Sequence, residues 1–307
     1  ESHYSEVFTS LGHLRILSVV QAICLVLCKV TGEFGAEIQG IARKIQEINP
    51  QTKVNAGSLF MLNLLYESQA FCTSIVSTNK RGEIHHARNL DFEFTNILRD
   101  VTYDIEVYRG KKLLYQATCF AGCTGILTAS KPGAFSLSIN QREPGTGAWR
   151  NVLSGIRGRS TVTWAARKAM EECNNFQEAR ERLLEVSLIA PCYYILGGIE
   201  ENEGTVITRN RTDVAETEDL DSENGIWQVM KTNYDSWEEP PEEDDRQTPC
   251  RKMLKRHQKT CNRDKLMKIL QTNPILNDQT VYSTAMCAGK GGFRTKVWEV
   301  VEEEVDD

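Results

Sequence analysis

The segment Phe71-Cys72-Thr73-Ser74-Ile75-Val76 and the chain that returns after it determine the predicted fold. This apolar run is followed by a polar turn at residues 79–82, and the chain then comes back through Arg88 and Asp91. Two such runs around a turn that contains glycine predict a β-hairpin. If the two ends of the turn pair with each other, residue 72 lies opposite residue 89. The hairpin then brings Arg88 and Asp91 within one or two residues of the Cys72 thiol.

A thiol between a cation and a carboxylate is suited to nucleophilic chemistry, because cations lower the pKa of a cysteine and favour the thiolate. A simpler interpretation stays open, in which Cys72 only begins a buried strand, since free cysteine is among the most buried residue types. Arg88 and Asp91 are three residues apart, so a regular strand directs them to opposite faces. We therefore expect a bulge or the strand end near these two residues.

The composition excludes several classes of protein. The formal net charge of -6 and the absence of any Lys/Arg-rich run argue against a surface that binds nucleic acid. Ten cysteines in 307 residues are too few for a disulfide scaffold. No histidine pair stands at zinc-binding spacing, and we expect neither a metal site nor a cofactor. The sequence also lacks a phosphate-binding loop and a G-x-S-x-G nucleophile elbow.

The sequence before Cys72 is predicted to be helical. From Leu14 to Leu27 an apolar run of 14 residues is interrupted by only three polar ones, and it is shorter than the roughly 18–20 residues that span a bilayer. A buried helix, an interfacial helix and the apolar part of a signal peptide all fit this run. We favour a buried or membrane-facing helix. A second helix is predicted to end before Pro50 from apolar residues at helical spacing: Phe34, Ile38, Ile41, Ile45 and Ile48.

The sequence after Cys72 is mostly strand-like, with helix candidates returning midway. Residues 192–198 and 205–209 are rich in β-branched and aromatic side chains and predict a buried hairpin. Residues 226–234 predict a strand, and the carboxylates between Glu238 and Asp245 predict a solvated loop. Helices followed by many strands indicate layered α+β packing.

Seven motifs, in this order along the chain, resemble those of one family. They are Cys-Thr-Ser-Ile-Val at 72–76, Arg-Asn-Leu-Asp at 88–91, Phe-Ala-Gly at 120–122, Tyr-Ile-Leu-Gly-Gly at 194–198, Val-Ile-Thr-Arg-Asn-Arg at 206–211, Thr-Asn-Tyr-Asp at 232–235 and Asp-Asp-Arg at 244–246. Over roughly residues 34–290 the chain resembles the family of acid ceramidase and N-acylethanolamine-hydrolysing acid amidase. This family lies in the cholylglycine-hydrolase branch of the N-terminal nucleophile hydrolases.

The resemblance implies an α+β fold, a four-layer αββα sandwich with a helical N-terminal segment, made as an inactive precursor. Cleavage between Phe71 and Cys72 would give a helical α chain, residues 1–71, and a catalytic β chain, residues 72–307. The two chains would stay together as a heterodimer. The predicted change from helices to strands falls at the same junction.

The resemblance also implies a role for each site residue. Cys72 is the nucleophile and, through the α-amino group that cleavage frees, its own base. Asp91 holds that amino group, and Arg88 lies close to the thiol and to the scissile carbonyl. Asn233 donates to the developing oxyanion. Arg246 braces the surroundings of the cysteine.

The activity implied is hydrolysis of a lipid amide to a fatty acid and an amine in the lysosome. The short segment from Asp91 to Val101 favours N-acylethanolamines as substrates, whereas residues 130–133 and 189–191 are more similar to ceramidases and keep N-acylsphingosine open. Gln141 stands where relatives tend to carry an acidic residue, and we expect it at the substrate head group. Asn210 begins an Asn-Arg-Thr sequon and is a glycosylation candidate in the secretory pathway.

Two hypotheses from other classes stay open at this point. The first is a Cys-His hydrolase in which His85 or His86 is the base, with at least one of the two expected to face solvent. The second is a non-catalytic relative that keeps the fold and binds lipid. The presence of all five residues that the resemblance assigns to catalysis argues against the second.

Overall fold

The computed structural model describes residues 14–65, 70–142 and 159–299. Its helices are α1 (Leu14–Val30), α2 (Gly32–Ile48), α3 (Ala56–Leu65), α4 (Thr95–Asp100), α5 (Val162–Glu172), α6 (Phe176–Glu185), α7 (Gln247–His257) and α8 (Arg263–Leu270). Single 3-10 turns lie at Glu242–Asp244, Gln258–Thr260 and Ala288–Lys290. Residues 1–13 and 66–69 of the predicted helical segment, residues 1–71, lie outside the described residues. Its last two residues, Ala70 and Phe71, lie in a strand and not in a helix, so the helical prediction is wrong there.

The strands form two antiparallel sheets. They are β1 (Ala70–Thr78), β2 (Ile84–Phe92), β3 (Thr102–Arg109), β4 (Lys112–Phe120), β5 (Thr128–Lys131), β6 (Phe135–Gln141), β7 (Cys192–Gly197), β8 (Gly204–Arg209), β9 (Val214–Asp219), β10 (Gln228–Lys231), β11 (Thr280–Cys287) and β12 (Gly292–Val297). The first sheet has the order β10-β1-β2-β11-β12, and the second runs from β3 to β9 in sequence order.

The two sheets pack face to face between two layers of helices, as predicted. Successive side chains of a strand point to opposite faces, and the core follows this rule. Ile75 and Ala87 pack against α7 and α8 on the outer face of the first sheet. Val76 and Ile84 pack against the second sheet. Helices α5 and α6 cover the outer face of the second sheet, which completes the αββα order.

The N-terminal helices α1, α2 and α3 pack on one another and on α5. Phe34 stacks on Trp164 with ring centroids 4.7 Å apart, and Phe60 meets the same indole edge-on at 5.7 Å. An ion pair of 2.7 Å joins Glu37 on α2 to Arg167 on α5. Helix α2 ends at Ile48, before Pro50, as its apolar pattern predicts.

Helix α1 has a packed face and an exposed apolar face. Cys24 and Cys28 are buried, whereas the side chains of Ile23, Val26 and Val30 are 42%, 62% and 72% exposed. The predicted helix is therefore present, with one face packed on the protein and one face apolar and exposed. Within residues 14–65, 70–142 and 159–299, no helix is long and apolar enough to cross a membrane.

The turn between β1 and β2 is one residue longer than predicted. The N–H of Asn79 donates to the carbonyl of Glu83 at 3.3 Å, and Gly82 takes a positive φ of 72° within the turn. The side-chain oxygen of Asn79 accepts from the N–H of Glu83 and stabilises the longer turn. Cys72 consequently lies opposite Leu90, and the predicted pairing with residue 89 is wrong by one position.

Candidate active site

Cys72 is fully buried inside β1, and the chain is continuous from Phe71 to Cys72. Its side chain lies on the face of the first sheet that packs against the second sheet. Arg88 is two residues from Leu90, the partner of Cys72, and therefore lies on the same face. The guanidinium donates from Nη2 to the Cys72 thiol at 3.1 Å. The predicted neighbourhood of thiol and cation is confirmed.

Arg88 is fixed by groups from three other strands. Its Nη2 also donates to the carbonyl of Ile139 at 2.8 Å, and its Nη1 donates to the Tyr282 hydroxyl at 3.0 Å. The guanidinium lies 5.5 Å from the centre of the Tyr282 ring. The Tyr282 hydroxyl contacts Thr128 at 2.8 Å. No sequence motif pointed to Tyr282 or Thr128, because their position depends on the strand order of the two sheets.

Asp91 lies opposite Phe71, on the other face of the sheet from the thiol. Strand β2 pairs regularly with β1, and the irregularity occurs on its other side. There Thr280 pairs with Asp91 and Tyr282 with Leu90, so β11 contains an extra residue. Because β2 itself has no bulge against β1, Arg88 and Asp91 stay on opposite faces of the sheet, and the expectation of a bulge in this strand is wrong. The backbone of Cys72 lies between the thiol and the Asp91 carboxylate.

Arg246 connects these groups from the side of the helices. Its Nη1 donates to the Cys72 carbonyl at 2.9 Å and to Asp91 Oδ2 at 3.2 Å. Its Nη2 donates to Asn233 Oδ1 at 2.9 Å. Asp244 accepts two hydrogen bonds from the same guanidinium, at 2.7 and 2.8 Å. This fully buried arginine therefore contacts both the cysteine backbone and the carboxylate.

Asn233 contacts both the backbone of Cys72 and the backbone of Gln141. Asn233 Oδ1 accepts from the backbone N–H of Cys72 at 2.6 Å, and its Nδ2 donates to the carbonyl of Gln141 at 2.9 Å. Gln141 therefore reaches the site through its backbone. The structure brings together, next to Phe71, all six residues that the sequence assigns to catalysis or substrate binding: Cys72, Arg88, Asp91, Gln141, Asn233 and Arg246.

Burial controls the ionisation of the site. It raises the pKa of the Cys72 thiol, an effect that Arg88 opposes only in part. It also raises the pKa of Asp91 to about 6, again against the nearby Arg246. Asp91 Oδ1 is buried and has no hydrogen-bond partner. The site therefore contains a neutral thiol on one face of the sheet and, on the other face, a carboxyl group with one unused acceptor.

The histidines are both buried, and the expectation that one faces solvent is wrong. Helices cover one face of β2 and the second sheet covers the other, so neither side of the strand is open. His86 lies opposite Val76, four residues along β1 from Cys72, which separates them by about 13 Å. Its ring nitrogens contact Ser136 at 3.0 Å and Ser138 at 2.8 Å. This geometry gives no Cys-His pair.

Asn210 lies outside the cluster around Cys72. Its Nδ2 donates to Asp213 at 2.7 Å, and its Oδ1 accepts from Arg142 at 2.7 Å. Arg142 in turn forms a buried ion pair of 2.7 Å with Asp235. The side chain of Asn210 is half-buried, and its glycosylation stays a prediction.

Comparison with known proteins identifies relatives over most of the chain. The profile of the linear amide C–N hydrolases, choloylglycine hydrolase family, matches residues 72–253. The chain is 36% identical to acid ceramidase of Homo sapiens over 281 residues, which cover 86% of this chain and 69% of the relative. It is 37% identical to N-acylethanolamine-hydrolyzing acid amidase of Rattus norvegicus over 259 residues, which cover 84% of this chain and 69% of the relative.

A solved structure resembles the fold closely. The Caenorhabditis elegans N-acylethanolamine-hydrolyzing acid amidase ortholog superimposes with a TM-score of 0.69 at 30% identity. The superposition covers 74% of this chain and 100% of that chain. The family profile begins at Cys72, the residue around which the buried charged groups assemble.

Proposed function

Because the chain belongs to the linear amide C–N hydrolases of the choloylglycine hydrolase family, we propose that it hydrolyses lipid amides at Cys72. The products are a free fatty acid and an amine. One observation carries this proposal: the Cys72 thiol lies 3.1 Å from Arg88 while Asn233 and Arg246 hold the backbone N–H and carbonyl of the same residue. N-acylethanolamines are the proposed substrates, since the short β2–β3 connection and the rat and nematode relatives both favour them.

The first step proposed is cleavage of the Phe71–Cys72 bond by the Cys72 thiol. Sulfur attacks the carbonyl carbon of Phe71, the acyl group shifts from nitrogen to sulfur, and water hydrolyses the thioester. This leaves a carboxylate at Phe71 and an α-amino group at Cys72. Asp91 lies opposite Phe71 with Oδ1 unpartnered, and the new ammonium would supply the missing donor. A cation at this position also lowers the pKa of Asp91.

The same chemistry then acts on substrate. The free α-amino group, with a reference pKa of about 7.7–8.0, takes the proton of the thiol. The thiolate attacks the amide carbonyl of the lipid, the amine leaves, and water hydrolyses the acyl thioester. Asn233 Nδ2, which donates to Gln141 in the uncut chain, is the proposed donor to the oxyanion. One donor of this kind lowers the barrier by about 3–4 kcal/mol.

We also propose that residues 1–71 and 72–307 remain together after the cut. The stacked rings of Phe34 and Trp164, the Glu37–Arg167 ion pair and Asn63 link the two parts. Asn63 on α3 donates to the carbonyl of Gly122 at 2.9 Å. None of these contacts involves the residues next to the cut, so cleavage leaves them intact.

The proposed location is the lysosome, reached through the secretory pathway, with membrane contact through the exposed face of α1. Val26→Glu combined with Val30→Glu is expected to weaken co-sedimentation with anionic vesicles at least several-fold, because acidic residues reduce the apolar area of this face and are repelled by anionic lipids. Gln46→Glu, which adds a charge to an exposed site on α2, is the matched control. Equal binding of wild type and the double variant would contradict membrane contact through this face.

Processing and turnover are tested together on the full chain. Incubation at acid pH should yield two chains by intact mass, one of them beginning Cys72-Thr73-Ser74, and the processed sample should release fatty acid from an N-acylethanolamine. Cys72→Ala should leave the chain whole and inactive. Efficient cutting of that variant would assign cleavage to another protease. A wild-type chain that stays whole and inactive throughout the acid range would overturn the proposed function.

Ceramide hydrolysis is the second candidate, carried by the 36% identity to human acid ceramidase and by the ceramidase-like residues 130–133 and 189–191. The same processed sample should be assayed on a ceramide and on an N-acylethanolamine with matched acyl chains. A higher kcat/KM on the ceramide would replace the first candidate by the second.

A further inference from the structure

We propose that Asn140 is a positioning residue that orients Asn233 for the reaction, an inference that rests on the role proposed for Asn233 above. Asn140 is fully buried and is the penultimate residue of β6, in the second sheet. Its Nδ2 donates to the carbonyl of Lys231 at 2.9 Å and to the carbonyl of Thr232 at 3.1 Å. These are the two residues that come directly before Asn233.

The next residue of β6 fixes the side chain of Asn233 itself. The carbonyl of Gln141 accepts from Asn233 Nδ2 at 2.9 Å. Strand β10 ends at Lys231, so the sheet ladder does not extend to Asn233. Hydrogen bonds from the end of β6 take the place of the ladder. The Asn140 side chain donates to the two backbone carbonyls before Asn233, and the Gln141 carbonyl accepts from the Asn233 side-chain amide.

The amide of Asn140 has one orientation that satisfies its neighbours. Backbone carbonyls only accept hydrogen bonds, so Nδ2 must face Lys231 and Thr232. Oδ1 then accepts from the Ser74 hydroxyl at 2.7 Å. Ser74 in turn accepts from Ser138 at 2.9 Å. The fixed amide of Asn140 therefore determines the direction in which the Ser74 and Ser138 hydroxyls donate.

The hydrogen-bond chain continues to a buried histidine. Because the Ser138 proton is directed to Ser74, His86 Nε2 must donate to Ser138 at 2.8 Å. Nδ1 of the neutral ring lies 3.0 Å from the Ser136 hydroxyl, which also donates to the carbonyl of Gly197 at 3.1 Å. Burial and the neighbouring Arg88 lower the pKa of His86 to about 3, which keeps the ring neutral with a single N–H. The three hydrogen bonds from His86 through Ser138 and Ser74 therefore point towards Asn140, an arrangement in which each bond polarises the next.

The first test replaces the donor of Asn140 by an acceptor of the same shape. Asn140→Asp directs an oxygen at two carbonyls, so the backbone before Asn233 must move. We expect kcat of the processed enzyme to fall at least about tenfold, since small displacements of catalytic groups have effects of this size, while KM changes little. Alkylation of the Cys72 thiol, which Arg88 contacts from another strand, should proceed at nearly the wild-type rate.

The matched control is Asn63→Asp. Asn63 is also buried, its Nδ2 also donates to two carbonyls, those of Leu59 at 2.8 Å and Gly122 at 2.9 Å, and its Oδ1 accepts from Thr124 at 3.1 Å. It has no described contact with Asn233. We expect Asn63→Asp to lower thermal stability but to leave kcat of the folded fraction unchanged.

A double-mutant cycle separates positioning from general loss of structure. Asn233→Ala alone should lower kcat about 100-fold or more. If Asn140 acts through Asn233, adding Asn140→Asp to Asn233→Ala should lower kcat no further. Full multiplication of the two losses would overturn the inference. Where a variant is not processed, the rate of cutting at Phe71–Cys72 supplies the same comparison.

An activity-independent readout distinguishes this inference from the proposed function. The side-chain amide signal of Asn233 in nitrogen-15 NMR spectra, assigned by its loss in Asn233→Ala, should shift in Asn140→Asp and not in Asn63→Asp. An unshifted signal would overturn the positioning role even in an active enzyme. A shifted signal in a protein that hydrolyses no lipid amide would support the positioning and contradict the proposed function.

Discussion

At the scale of single residues, the charge of the buried Arg246 is compensated by two carboxylates, one buried and one partly exposed. Asp91 is fully buried, whereas the Asp244 side chain is 39% exposed and accepts both hydrogen bonds of a forked contact. An arginine buried among Cys72, Asn233 and one carboxylate would lose half of its compensating charge if Asp244 were neutral. Asp244 therefore compensates the charge of Arg246 and keeps this arginine in place to donate to the Cys72 carbonyl.

Asp244→Asn is expected to slow cutting at Phe71–Cys72 by about tenfold, which corresponds to about 1.4 kcal/mol of barrier. The amide has one acceptor oxygen and no charge for the guanidinium fork. Asp245→Asn is the matched control, because Asp245 accepts from the N–H of Thr248 and an asparagine can do the same. Equal rates for both variants, followed by intact mass against time, would contradict this role of Asp244.

The hairpin pattern was sufficient to predict two neighbours of Cys72. Arg88 and Asp91 lie beside Cys72 because β1 and β2 are adjacent in sequence and the turn fixes their register to within one residue. Asn233 and Arg246 were assigned from family motifs, since no local pattern links them to Cys72. Asn140 and Tyr282 were not identified, because their contacts arise only when distant strands stack across the two sheets.

At the scale of elements, the predictions held where side chains alternate or repeat over a long run. The pairs β7–β8 and β1–β2 and the helix α2 were found from such patterns. Helix α7 was missed because only Gln247, Cys250 and Leu254 of its residues are buried, too few for a visible apolar stripe. Strand β10 is shorter than residues 226–234 because the chain leaves the sheet at Lys231.

The interface between α2 and α5 is expected to keep the two parts of the cut chain together. Phe34→Ala removes the ring that stacks on Trp164 and should weaken this interface by about 3–5 kcal/mol, the usual effect of truncating a buried aromatic residue. After cleavage, size-exclusion chromatography should show loss of residues 1–71 from the larger chain.

Phe176→Ala is the control for this experiment. Phe176 on α6 is buried to a similar extent and has no described ring contact with the N-terminal helices. It should lower the free energy of unfolding without releasing the smaller chain. Retention of both chains by Phe34→Ala would show that the remaining contacts of α1, α2 and α3 suffice.

At the scale of the whole molecule, the stability of the uncut chain should respond to pH through Asp91. The folded pKa of Asp91 is about 6 and its ordinary value is 3.8, so the folded state binds this proton more tightly. The resulting stabilisation is complete below the ordinary value and is lost as pH rises through about 6. It amounts to about 3 kcal/mol at most.

This pH dependence is measurable on Cys72→Ala, which keeps the chain whole. The free energy of unfolding should decrease between about pH 4 and 6 by more in Cys72→Ala than in Cys72→Ala combined with Asp91→Asn. If the free energies of unfolding of the two proteins changed in parallel with pH, the raised pKa of Asp91 would be contradicted. In the processed chain, the cation at the start of residue 72 should remove or reverse the difference.

Strand β1 runs through the bond that is proposed to break, with Ala70 opposite Phe92 and Phe71 opposite Asp91. Cutting one covalent bond does not remove these ladder partners. If the bond breaks as proposed, the new carboxylate is a tethered product with an effective concentration of about millimolar, and it would compete with the acyl group of a substrate. Activity should appear after a lag that follows the cut seen by mass, and the lag should shorten when Ala70 is replaced by proline, which weakens strand pairing. If the lag is observed, the proposed maturation has two rates, that of the bond cleavage and that at which residues 70 and 71 dissociate from the sheet.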